Sequence, residues 1–401
     1  MMEILLGILA LCVGVKGFIR SFEHKNLVIF IWIIALYYTL TSMVSICQPD
    51  NMYISDAIKL KYMANMFLCI LSFYICDLVC NKSVNVLLAF NSIKKCRFFI
   101  VLEIVYWISY VLTFLTLKGQ DYTSYNTGTG AGWAQVFFMF TSGIIYLFVL
   151  RKQWVKILLS AVMMVLIIIA IGVRSMFYFI LMPIAFYYLY YMLFHVRGLK
   201  QFVLNCIPFA FLIFLASYLV SYVRFGYYSM PETGLTSIAL NCLDQWNFGN
   251  QYLSSTLQYI SGFLEPLRNA LNMMSIHLPD FMENIPSVPQ LNAMIYAGVS
   301  DVSDLENAYH MPATIFFDLM VSWGYFAPIA AFILYWYFLK VFNVFQKSPL
   351  RMILFSSIIG WHFYMLMRGA VDTCSSAMGY PLCLGIVTYF IITKLLLRKL
   401  S

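Results

Sequence analysis

The sequence predicts an all-α fold: a polytopic transmembrane helix bundle of about eleven spans, with one large outer loop of short helices. Three observations lead there. The 401 residues are 62% hydrophobic and only 10% charged, too little polar surface to cover a water-soluble protein of this length. Apolar runs recur at lengths near the roughly 20 residues that carry a helix across a bilayer. The basic residues then fall on alternate loops, as a threaded chain requires.

Read in order, the expected spans are Ile4–Val15, Leu27–Cys47, Tyr62–Cys80, Phe98–Leu117, Ala134–Leu150, Ile157–Gly172, Met176–Phe194, Phe202–Val223, Phe316–Leu339, Met352–Met367 and Leu382–Lys394. The first is apolar, with Glu3 ahead of it and basic residues behind it. That order is the reverse of a secretory leader, so it is read as a retained span. Loops 16–25, 82–97, 151–156, 197–200, 340–351 and 394–399 hold 18 of the 25 Lys and Arg residues. Positive loops stay cytoplasmic, which fixes the expected orientation. The net charge of +8 is then a sum over cytoplasmic loops and gives no reason to expect nucleic acid. Most of the ten cysteines sit in apolar runs as small hydrophobes. Only Cys242 and Cys374 lie well outside, where one bridge is allowed and none is demanded.

The chain reads as one integral membrane domain, 1–401, with the outer loop 224–311 inside it. That loop, Arg224–Met311, has 88 residues, five prolines before Pro312 and no run long enough to span. Within it Leu257–Met274 has helical apolar spacing, and loops of this length are usually functional. Short helices lying over the outer mouth of the bundle are expected. The two halves do not match, as those of a paired-repeat transporter would.

On the outer side the rule for positive loops gives no reason for Arg174, Arg224, Arg268 and Arg368. Three of them stand at outer helix ends, in Gly172-Val-Arg-Ser175, Tyr222-Val-Arg-Phe-Gly226 and Met367-Arg-Gly369. A guanidinium matches phosphate oxygens two at a time, so these arginines are expected to converge on a phosphate-bearing lipid. The alternatives are interfacial anchors and, for Arg268, a solvated face or a bond to Glu265 at i−3. His310 stands at the junction of loop and helix and can accept a proton near neutral pH. Asp318 is an intramembrane carboxylate, which by default is functional or is paired with an arginine such as Arg174 or Arg224. Glu103 and Asp77, nearer the cytoplasmic half, are expected to be structural pairs. Tyr227, Tyr228, Trp246, Tyr252 and Tyr296 of the outer loop could stack on sugar rings. The sequence has no phosphate-binding glycine loop and no zinc signature, so no cofactor and no protein-held metal are expected.

With these segments placed, the chain resembles the bacterial oligosaccharide repeat-unit polymerases, the O-antigen and capsule polymerases of the Wzy type within the O-antigen ligase superfamily. Gly172-Val-Arg-Ser175 is similar to that superfamily's Gly-Ser-Arg-Gly element, with Val and Ser replacing its Ser and final Gly. Tyr259-Ile-Ser-Gly262 through Leu271 looks like its loop helix. His310 followed by Thr314, Asp318 and Gly324-Tyr-Phe resembles the polar residue ahead of a Gly-rich span. The resemblance implies a GT-C-like, metal-independent glycosyltransferase in the bacterial inner membrane, its site facing the periplasm. It would polymerise repeat units carried on undecaprenyl pyrophosphate into O-antigen or capsular polysaccharide, with flippase and chain-length regulator proteins as partners. Arg174, Arg224, Arg268 and Arg368 would hold the pyrophosphate, and His310, Glu232 or Asp318 would be the base. The sister ligase activity, or a flippase exporting the same lipid-linked unit, are the alternatives.

Overall fold

The computed structural model describes residues 2–48, 51, 53–83, 98–118, 132–171, 175–196, 198–208, 233–245, 254–276, 287–299, 313–369 and 371–400, and among them the regular structure is all helical. The first helices are α1 (Met2–Glu23), α2 (Ile29–Ile46), α3 (Asp56–Cys80) and α4 (Phe98–Leu117). A bent pair follows, α5 (Gly132–Thr141) and α6 (Ile144–Leu150), and then α7 (Trp154–Ile171) and α8 (Ser175–His195). The long segment expected to form the outer loop contributes α9 (Thr233–Gln245), α10 (Ser254–Met273) and α11 (Val288–Ala297). Four helices close the chain: α12 (Ile315–Trp323), α13 (Ala327–Phe345), α14 (Pro349–Met367) and α15 (Val371–Leu400).

Nine segments among the described residues are long and apolar enough to cross a membrane. Of the other two expected spans, Ile157–Gly172 overlaps α7, an apolar helix of 18 residues. Phe202–Val223 is helical through residue 208, and its remainder lies outside the described residues. The outward faces of the bundle carry Leu5 and Ile8 on α1, Ile104 and Ile108 on α4, and Leu158 and Val162 on α7, all exposed. In water such faces would aggregate; against acyl chains they need no cover. Between helices, buried hydroxyls act as the glue: Ser142 and Ser357 lie 2.6 Å apart, and Ser357 donates to the Phe179 carbonyl at 3.1 Å.

The described loops sort onto two ends, in keeping with the charge alternation. At the basic end Asn26 donates to Asn81 (2.8 Å) and to Asn343 (3.0 Å), and the Gln346 side chain accepts from Leu27 N–H at 2.9 Å. Arg20 there pairs with Asp77, whose other oxygen accepts from Tyr335 at 2.6 Å and from Asn81 at 2.9 Å. Glu103 pairs with Lys156. Both expected structural carboxylates are therefore ion-paired. At the opposite end Asn51 reaches Ser237 at 3.0 Å, and Trp133 packs edge-on to Tyr380 at 5.2 Å.

One expected span is built differently. Phe316–Leu339 reads as continuous, but Phe316 and Tyr335 both pack on Phe73, at 6.0 and 5.1 Å between ring centroids. In one straight helix those two residues would stand about 28 Å apart along the axis. The chain therefore folds back between them. The break is at Gly324, whose φ of 53° and ψ of −125° favour glycine, and a 3-10 turn, Gly324–Phe326, follows it. Pro328 then opens α13, where its missing N–H costs nothing. α13, with 19 residues, is long enough to cross by itself, while α12 is a short buried helix packed beside it.

Candidate functional site

Arg368 is the C-cap of α14, and its N–H donates to the Tyr364 carbonyl at 3.0 Å. Its side chain is half-buried, with Nε fully buried. Gly369 follows at φ +79°, and a Cβ there would lie 2.3 Å from the Ala313 carbonyl oxygen. Only glycine lets the end of α14 touch the segment that leads into α12. Thr314 caps α12, its hydroxyl accepting from Phe317 N–H at 3.4 Å. Asp318 lies in the first turn, buried, and accepts from the Ser322 hydroxyl at 3.3 Å. A carboxylate there is favoured by the positive end of the helix dipole. Arg368 and Asp318 therefore flank one junction. Asp318 belongs to this separate short helix and not, as expected, to the spanning helix.

The same junction is tied to the outer segment by a buried chain of hydroxyls. Thr314 meets Tyr62 at 3.0 Å, Tyr62 meets Ser42 at 3.3 Å, and Ser42 meets Thr236 of α9 at 2.9 Å. These groups satisfy one another away from water, linking α2, α3, α9 and α12. Beside them Cys242 is a free buried thiol, pushed up to about 12 by burial.

Helix α10 does more than roof the bundle. Its apolar stripe of Leu257, Ile260, Leu264 and Leu267 is exposed, the reverse of a helix resting on a protein core. Its other face packs inward. Pro266 lies 3.0 Å from where a Cβ on Gly379 of α15 would sit, and Asn269 donates to the Tyr380 hydroxyl. Arg268 sits half-buried on this helix. Burial pushes the Glu265 carboxyl above its usual range, and the Arg268 guanidinium partly opposes that shift. The expected electrostatic link between Arg268 and Glu265 is therefore present. Toward its start, α10 places the Tyr259 hydroxyl 2.7 Å from His362 Nε2 and 3.4 Å from the Tyr337 hydroxyl. Phe263 closes on the imidazole edge-on at 5.2 Å.

His362 was not foreseen. It is buried in α14, five residues before the helix end, or about 7.5 Å along it. The available signal was an ionisable residue inside an apolar run, in Gly360-Trp-His-Phe363.

Of the expected site residues, Arg174, Arg224, Glu232, His310, Tyr227, Tyr228, Trp246 and Tyr252 lie outside the described residues, and the Tyr296 side chain does too. The helix that follows Arg174 in sequence is placed. Tyr178 of α8 stacks on Tyr364 of α14 at 4.0 Å, their hydroxyls 2.8 Å apart. In sequence Arg174 stands four residues before Tyr178, and Arg368 four residues after Tyr364. Among the described residues no group of three or more His, Cys, Asp or Glu side chains comes together.

No family model, no curated protein and no solved structure matches this chain.

Proposed function

We propose that this protein polymerises oligosaccharide repeat units carried on undecaprenyl pyrophosphate, on the periplasmic face of a bacterial inner membrane. The observation that carries the reading is the Arg368 junction. A helix-end arginine and an intramembrane carboxylate, Asp318, flank one packed turn at the end opposite the basic loops. Nucleotide sugars are absent outside the cytoplasm, so transfer there draws on a lipid pyrophosphate.

In the proposed step an acceptor sugar hydroxyl attacks the anomeric carbon of the growing chain. The new C–O bond forms as the bond to pyrophosphate breaks, and undecaprenyl pyrophosphate leaves. Arg368, with Arg174, Arg224 and Arg268, offsets the charge on the departing oxygens. His310, Glu232 or Asp318 takes the hydroxyl proton. α9 and α10, packed onto the bundle, form the wall that receives the sugars.

Deletion of the gene in the source bacterium tests this, with the surface polysaccharide run on a gel. Polymerase loss leaves single repeats on the acceptor. Loss of all surface glycan indicates export instead, and untransferred full-length polymer indicates the ligase.

A further inference from the structure

At the basic end α3 and α13 border a cavity of ≈ 490 Å³. Three lysines line it: Lys82 just past α3, Lys340 on α13 and Lys347 just after it. All three are exposed, and among the described residues no carboxylate pairs with any of them. Asp77, the acid on this stretch of α3, is already engaged by Arg20, Tyr335 and Asn81. Apart from Asn343, which accepts from Asn26, the remaining walls are largely apolar. Val79 and Val344 are 71% and 53% exposed, and Trp336 carries the Lys340 ammonium 5.3 Å from its ring centroid. A Trp beneath a lysine marks the headgroup level of a bilayer.

Positive charge without counter-ion beside an exposed apolar wall matches an amphiphile that has an anionic head and acyl tails. A soluble phosphate would use only the lysines, and a zwitterionic lipid brings its own cation. We propose that this cavity binds an anionic phospholipid of the adjoining leaflet, its phosphate held by Lys82, Lys340 and Lys347 and its acyl chains lying along Val79 and Val344. Basic pockets between membrane helices bind such headgroups. The site lies at the opposite end from Arg368 and does not depend on the proposed transferase reaction.

The test is native mass spectrometry of the purified full chain titrated with phosphatidylglycerol or phosphatidylcholine. Phosphatidylglycerol binds more tightly to the wild type. The triple variant K82Q/K340Q/K347Q loses phosphatidylglycerol affinity by a factor on the order of 100, about fivefold per lysine. A matched triple, K16Q/K152Q/K200Q, keeps it. A measurement independent of the lysine variants uses phosphatidylglycerol brominated on its acyl chains, which quenches wild-type fluorescence more than that of W336F. Equal binding of the two lipids, equal loss in the two triples, competition by glycerol phosphate as strong as by intact lipid, or identical quenching in W336F would each overturn the proposal.

Discussion

The Tyr259 hydroxyl, on a helix of the long outer segment, lies 2.7 Å from Nε2 of His362 inside α14. This bond is one of several that tie the segment between α8 and α12 to the bundle, and it lies among aromatic rings that keep the imidazole buried. Tyr259→Phe keeps the packing and removes the hydroxyl, at a cost of about 1 kcal/mol. Hydrogen exchange across α10 should then rise roughly fivefold, while α4, which takes no part in the pair, stays unchanged. Unaltered protection of α10 would show that the bond does not anchor it.

Gly369 is the position where the end of α14 meets the segment before α12. Gly369→Ala combines a positive φ with a Cβ 2.3 Å from a carbonyl oxygen. The strain is about 1–3 kcal/mol from the backbone conformation, and the clash adds to it. The thermal midpoint in detergent should fall by several degrees, and polysaccharide formation with it. Ala at Gly198, where a Cβ meets open space, should change neither.

Asp77 is fully buried and ties Arg20 to Tyr335 and Asn81. Asp77→Ala strands these partners and should cost about 3 kcal/mol, the lower end for a broken buried pair because Arg20 is 28% exposed. Asp77→Asn, which keeps an acceptor, should cost less. Unfolding midpoints of the two variants check the order.

Glu265 supplies a pH dependence. Its carboxyl is raised above the ordinary value of 4.5 by burial, so the fold holds its proton more tightly than the unfolded chain does. The resulting stability is fully present below that ordinary value and is lost as pH rises through the raised one. Glu265→Gln should flatten this part of the curve of melting temperature against pH. Arg268→Gln, which removes the opposing charge, should move it to higher pH.

The helical bundle and its two-ended threading were legible because hydropathy and loop charge are local, additive signals. They placed the span at Leu27–Cys47 within two residues of the helix found and that at Phe98–Leu117 to the residue. The fold-back at Gly324 was hidden because Phe316–Leu339, apart from Asp318 and Ser322, reads as one long apolar run. Its signal was punctuation, a glycine followed four residues later by Pro328, the mark of one helix stopping and another starting. The stripe on α10 was visible, but spacing alone does not say whether protein or lipid covers it. At the site, the helix-end position of Arg368 followed from its place after a span. The hydroxyl chain from Thr314 to Thr236 joins residues far apart in sequence and has no local signature.

The central claim is that Arg174, Arg224 and Arg368 hold one lipid diphosphate together. Binding of undecaprenyl pyrophosphate to the purified chain, measured for the wild type and for each single Arg→Ala variant, tests it most directly. Each of the three substitutions should weaken binding about tenfold or more, as expected for losing a charged hydrogen bond, while Arg151→Ala at the basic end leaves it intact. Wild-type affinity in all three variants, or a loss confined to one of them, would contradict it.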